Sequence, residues 1–160
     1  MIVYPRSIAE NDGLKAWIEQ RVPEYKSGAT TICVGVEREG KLLAAVAWDG
    51  WRGVSVEATI AADSPRWATR QTIATLLAYP FMQLKCSRVS AFVRKGNKHS
   101  RRFSEGIGFK LEGRLRDAGP NLETVLLYGI TRKDYVAKYV TPYVRKELGK
   151  QEATGATAGT

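Results

Sequence analysis

Glu57 is the only charged residue in the run Val54-Ser55-Val56-Glu57-Ala58-Thr59-Ile60. A carboxyl group in such a strand is a candidate general base, because partial burial raises its pKa toward the range where it takes up protons. The plainer reading is a solvent-facing member of an alternating strand, since Val54, Val56 and Ala58 share the other face. A second concentration of chemistry lies downstream. Lys95, Lys98, Arg101 and Arg102 bracket Asn97 and Ser100. Those cations could pair with phosphate or with an acidic acceptor, or could form an ordinary solvated face. Asn97 after Gly96 reads as a helix cap, and Ser100 as a first-turn residue that can satisfy a backbone N–H.

Other chemistries are excluded by what the chain lacks. His99 is the single histidine and is expected to be exposed, so it is assigned no chemistry. Cys33 and Cys86 stand 53 residues apart without a CxxC pattern. A disulfide framework, a zinc site and multi-histidine metal chemistry are therefore not expected, and a reducing cytoplasm is the expected setting. No apolar run approaches the ~20 residues that span a bilayer, so no membrane partner is expected.

The formal net charge of +9 is unevenly placed. Residues 1–84 carry nine basic and nine acidic side chains, whereas residues 85–116 carry ten basic against two acidic. A positive block in one part of a neutral domain concentrates an anionic ligand. Nucleic acid and a phosphate-rich cofactor both fit.

The elements that must position these groups follow from periodicity and turn chemistry. Ile2–Tyr4 reads as a strand closed by Pro5, and Ser7 caps a helix marked by Leu14, Trp17, Ile18 and Val22. After Pro23 a short helix or loop runs to Ala29. Thr30–Glu37, Leu42–Trp48 and Val54–Ile60 form a meander of antiparallel strands. Ser64-Pro65 opens a helix whose apolar face carries Ile73, Leu76, Leu77, Phe81 and Leu84, with Pro80 shortening its end. Arg88–Arg94 is a strand, and a short helix from Asn97 through Phe103 closes at Gly106 and Gly108. Phe109–Arg116 and Leu122–Ile130 are strands. A helical stretch bearing Tyr135, Tyr139 and Tyr143 comes last, and that tyrosine stripe reads as packing or as a subunit contact in an oligomer. The fold class is α+β: a mixed, mostly antiparallel sheet flanked by helices, with a helical C-terminal extension. Residues 1–149 form one domain, and 150–160 are expected to be a disordered tail.

The segment from Asn97 to Asp117 reads N-x-x-S-x-R-x-x-E-x-x-G-F-x-x-E-G-x-x-R through Arg116. This resembles the GNAT superfamily of N-acetyltransferases, in particular its ribosomal-protein N-acetyltransferase branch. Tyr128–Tyr135 is similar to that branch's closing strand and helix start. Trp67–Phe81 with Gln83 looks like shorter acetyltransferase-like proteins of bacteriophages, which would place the chain in a host cytoplasm. The likeness covers residues 54–135 well, and the first 53 by element order.

The resemblance implies acetyl-coenzyme A held where the strands Val54–Ile60 and Arg88–Arg94 splay apart, and no metal. The exposed strand edge at Ile60 and Ala61 would pair with the pantetheine amides. The pyrophosphate would rest on the helix start formed by Arg66, Trp67, Ala68, Thr69 and Arg70. Asn97 would contact the pantetheine arm, and Arg102 the cofactor's phosphates. Glu57 would take the proton of a primary amine, from a protein N-terminus or another acceptor, and Ser100 would protonate the departing thiolate. The family's glycine-rich phosphate loop is altered, because Pro65 and Trp67 stand where glycines are expected. That departure and the basic block carry the alternative: a catalytically divergent GNAT-fold phage protein that binds or modifies nucleic acid or a host protein.

Overall fold

The computed structural model describes residues 1–156. Ser7 caps α1 (Ile8–Arg21), its side chain accepting the Glu10 N–H at 3.1 Å. The hairpin of β2 (Ile32–Arg38) and β3 (Lys41–Asp49) turns at Glu39-Gly40, both in the left-handed region that such tight turns require. With β1 (Ile2–Val3), β4 (Ser55–Ala62), β5 (Arg88–Arg94), β6 (Lys110–Leu115) and β7 (Val125–Thr131), they build one sheet. Its order is β1-β2-β3-β4-β5-β7-β6. Every neighbouring pair is antiparallel except β4 and β5, which run parallel. This is the expected mixed sheet; the stretch from Glu24 to Ala29 is a loop rather than a short helix.

The sheet's two faces are covered differently. On one face, fully buried Ile18 of α1 packs on Cys33, Ala45, Ala47 and Ala61. Small side chains at those positions let the helix lie close to the strands. The other face carries the larger core. There Val34, Val46, Val56, Val89, Leu126 and Tyr128 meet Ile73, Leu76 and Leu77 of α2 (Arg70–Ala78) and Ile107 of α3 (Lys98–Ile107). Pro80 ends α2 as expected, and the chain continues as a π-helical turn, Tyr79–Gln83. Fully buried Phe81 in that turn stacks on Tyr135 at 5.1 Å.

After β7, Thr131 and Asp134 exchange backbone–side-chain bonds in a capping box that starts α4 (Arg132–Tyr135). Tyr135 and Tyr139 are buried, and their hydroxyls donate to Ala74 O at 3.1 Å and Ile107 O at 2.5 Å. Tyr143 is exposed, so only two of the three tyrosines pack inward. The last helix, α5, spans Thr141–Ala156. It therefore continues through Gln151–Ala156, where a disordered tail was expected; residues 157–160 lie outside the described residues.

Ile18 holds α1 onto a bed of small side chains that has nothing large enough to fill its place. Ile18→Ala should cost about 2–5 kcal/mol of unfolding free energy, read from the urea midpoint at unchanged m. A loss below about 1 kcal/mol would mean that α1 is anchored elsewhere.

Candidate functional site

β4 and β5 pair at only three rungs: Ser55–Arg88, Val56–Val89 and Glu57–Ser90. β4 then stays on β3 as far as Ala62, and β5 stays on β7 as far as Arg94. Beyond the last shared rung, the backbones of Ala58–Ala62 and Ala91–Arg94 line a gap without ladder bonds between them. The gap is a cleft of about 540 Å³, within the range of small-molecule sites.

On the α1 face the cleft is bridged by Arg21, Val22, Pro23 and Glu24. Arg21 binds Asp63 through two nitrogens, at 2.6 and 2.9 Å, and its guanidinium lies 3.6 Å from the Trp17 ring centre. Hydrogen bonding by Arg21 holds the Asp63 carboxyl below its usual range. Arg94 Nε sits 3.1 Å from Glu24 Oε1, a charge contact rather than a hydrogen bond, and its Nη1 reaches Glu123 at 3.4 Å. Asp63 follows β4 and Arg94 ends β5, so the end of α1 and the turn after it are tied to both diverging strands.

The opposite wall is built by Trp67 and α3. Trp67 is buried and meets Phe103 with ring centres 5.5 Å apart. Asn97 caps α3, its Oδ1 accepting the Ser100 N–H at 3.1 Å. Ser100 lines the cleft, and its hydroxyl makes no hydrogen bond among the described residues. His99 is exposed, as expected, and stands on the rim.

Of the residues singled out from sequence, Ile60, Ala61, Trp67, Ala68, Asn97 and Ser100 line the cleft. Arg66, Thr69, Arg70, Arg102 and Glu57 do not. The expected helix start at Pro65 is a single 3-10 turn, Pro65–Trp67, and α2 begins only at Arg70, capped by Thr69. Burial of Trp67 against Phe103 draws the chain inward and interrupts the helix between them. The loop's donors are then largely spent. Arg66 N–H goes to Ser64 Oγ, Ala68 N–H to Pro65 O and Thr69 N–H to Trp67 O. The Arg70 guanidinium turns away to Lys138 O and lies over the Tyr139 ring.

Glu57 occupies the last rung before the strands part, on the α1 face and exposed, as the solvent-facing alternative has it and without the partial burial of the other reading. Sequence reasoning missed the bridge at Arg21–Glu24 and the cleft-lining pair Phe92 and Arg94. Each owes its place to contacts across tens of residues, and none carries a local motif. Among the described residues no group of three His, Cys, Asp or Glu could hold a metal ion. No helix among them is long and apolar enough to cross a membrane.

The Arg21–Asp63 clasp makes the bridge sensitive to acid. A carboxyl held below its ordinary pKa stabilises the fold above the unfolded value, about pH 3.9, and that contribution is lost as pH falls through the folded value. Asp63→Asn should lower the melting temperature at pH 7 and flatten its acid limb. Melting curves from pH 7 to pH 3 test this; a constant offset from the parent protein across that range would contradict it.

No protein-family model and no curated protein matches this chain. Solved structures do. A chimera of the spermidine N-acetyltransferase SpeG from Vibrio cholerae and hSSAT superposes with a TM-score of 0.68 at 17% identity, covering 86% of this chain and 98% of that one. The Vibrio cholerae spermidine N-acetyltransferase in complex with CoA and spermine gives 0.66 at 16% identity, over 85% and 97%. A dodecameric structure of that enzyme in an intermediate state gives 0.58 at 19% identity, over 78% and 76%. At these identities the likeness is one of architecture: the chain has the GNAT fold.

Proposed function

We propose that the chain is an N-acetyltransferase that moves an acetyl group from acetyl-coenzyme A to a primary amine. The observation that carries this reading is the parting of β4 from β5 after Glu57–Ser90, in the fold of an enzyme solved with CoA and spermine. The residues present fit the coenzyme's arm. Some 16 Å of β4 edge, Ala58–Ala62, lies free of its parallel neighbour and can pair with an extended, amide-bearing chain. When bound, acetyl-coenzyme A supplies the activated acyl carbon as a thioester.

The side chains divide the proton work between the two faces of the sheet. Glu57, at the fork on the α1 face, takes the proton of the incoming amine directly or through water as the C–N bond forms. Ser100, on the α3 side, donates its hydroxyl proton to the sulfur as the C–S bond breaks and is reprotonated from solvent, which takes up the proton that Glu57 releases. A backbone N–H of β4 polarises the carbonyl. Asn97 already uses its Oδ1 as a cap, so its Nδ2 is the group left to meet the arm. Trp67 and Ala68 serve as wall rather than as N–H donors.

The phosphates fall to the N–H groups of Arg70 and Gln71, which open α2 without intrahelical partners, and to the cations Arg66, Lys98 and Arg102. The Asn97–Arg116 likeness to the ribosomal-protein branch favours a protein N-terminus as acceptor. An α-amine asks less of its base than lysine does, since its pKa is about 7.7–8.0 against about 10.4.

Millimolar acetyl-coenzyme A should raise the melting temperature by binding the folded state, and Arg102→Glu should reduce that rise. No rise in a folded sample would leave only a divergent, non-catalytic GNAT fold. In steady-state assays Glu57→Gln and Ser100→Ala should each lower kcat by ~10²–10⁴-fold with coenzyme affinity retained. Unchanged rates in both would reduce the two residues to a surface carboxylate and a helix-turn serine.

A further inference from the structure

We infer that the amine acceptor is a monoamine carried on an apolar body, seated on the open β5–β7–β6 face beside the cleft, and not a polyamine. This rests on the acetyltransferase reading above and narrows its substrate. On the α1 face, α1 packs on β2, β3 and β4. The same face of the far half-sheet leaves Phe92 48% and Leu115 38% exposed. Register places Phe92 beside Leu127 and Leu127 beside Gly113, with Arg94, Val125 and Leu115 forming the next row. Phe92 and Arg94 also line the cleft, so this apolar strip begins where the two strands part.

The strip is closed at both ends by arginines that have already taken the nearby carboxylates. At one end Arg88 binds Glu112 at 2.6 Å, and the pair lies flat on Gly129. A Cβ at Gly129 would fall 2.5 Å from Glu112 Oε2 and 2.6 Å from Arg88 Nη2, so glycine is what lets the pair sit against the sheet. At the other end Arg94 holds Glu24 and Glu123, and at the cleft mouth Arg21 holds Asp63. Glu57 makes no ion pair among the described residues, and its assigned task is the reacting nitrogen itself.

A polyamine would carry its second ammonium, a few methylenes along, onto Phe92 and Leu127 between two arginines. There it would lose hydration without gaining a counter-charge. An aromatic or aliphatic body would instead cover the same strip and remove apolar surface from water.

The test uses the full chain with acetyl-coenzyme A, following release of the free thiol. Phenethylamine and a short peptide with N-terminal leucine represent the two sources of such an amine; spermidine and ethanolamine are the comparators. At least one apolar monoamine should exceed both comparators by tenfold or more in kcat/KM. Phe92→Glu and the uncharged Phe92→Thr should shrink that preference about tenfold through KM, with acetyl-coenzyme A affinity held within threefold. Spermidine as the better substrate, a preference that survives both variants, or coenzyme binding with none of the four amines acetylated would overturn the inference while the coenzyme reading stands. Failure to bind acetyl-coenzyme A would overturn both.

Discussion

Everything at this site follows from three rungs of backbone pairing. Had β4 and β5 continued together past Glu57–Ser90, the sheet would be closed and no cleft would exist. Each strand instead keeps its other partner, β4 on β3 and β5 on β7, so the sheet behaves as two half-sheets joined at one end. What spans the fork is the end of α1 and the turn after it, with Arg21 holding Asp63 and Glu24 facing Arg94. Breaking a ladder leaves backbone donors and acceptors without partners, which costs free energy unless something else satisfies them. A ligand with amides along its length is suited to that edge.

The fork also sorts the chemistry by face. α3, Trp67 and the larger core lie on one side, which is the side proposed for the coenzyme's groups and the one that carries Ser100. Glu57, Phe92 and the arginine-flanked strip lie on the other, the side proposed for the acceptor. On the proposed reading, acid and base are separated by the thickness of a single sheet, with the reacting carbon in the gap between the strands. The basic excess of residues 85–116 is partly consumed within the fold, at Arg88, Arg94 and Lys110, which hold carboxylates. Of the remainder, Lys98 and Arg102 stand near the Asn97 end of α3, on the side proposed for the coenzyme.

The strands were legible because alternation and turn residues are local: Val54–Ile60 and Arg88–Arg94 match β4 and β5 to within two residues. The Asn97 cap and the Gly108 stop of α3 were legible for the same reason, with Gly108 adopting φ 121°. The loop at Ser64–Thr69 was misread because its conformation is decided by Trp67 packing on Phe103, a tertiary contact that overrides good capping residues. Alternation in its strand already allowed Glu57 to face solvent, but whether another element covers that face is decided by the far half-sheet and not by the strand. Arg21 and Asp63 are 42 residues apart, and neither announces the other in the sequence. Pattern reading found the walls of the cleft and missed the bridge across it.

The central claim is that the unpaired edge beyond Glu57–Ser90 is where the coenzyme's arm lies. Amide hydrogen exchange, with and without acetyl-coenzyme A, reads that edge directly. Slowed exchange in peptides covering Ala58–Ala62, with β2 and β6 unchanged, is the result this account predicts. Saturating coenzyme that leaves Ala58–Ala62 as fast as in the free protein, or that protects only the basic surface of α3, would contradict it.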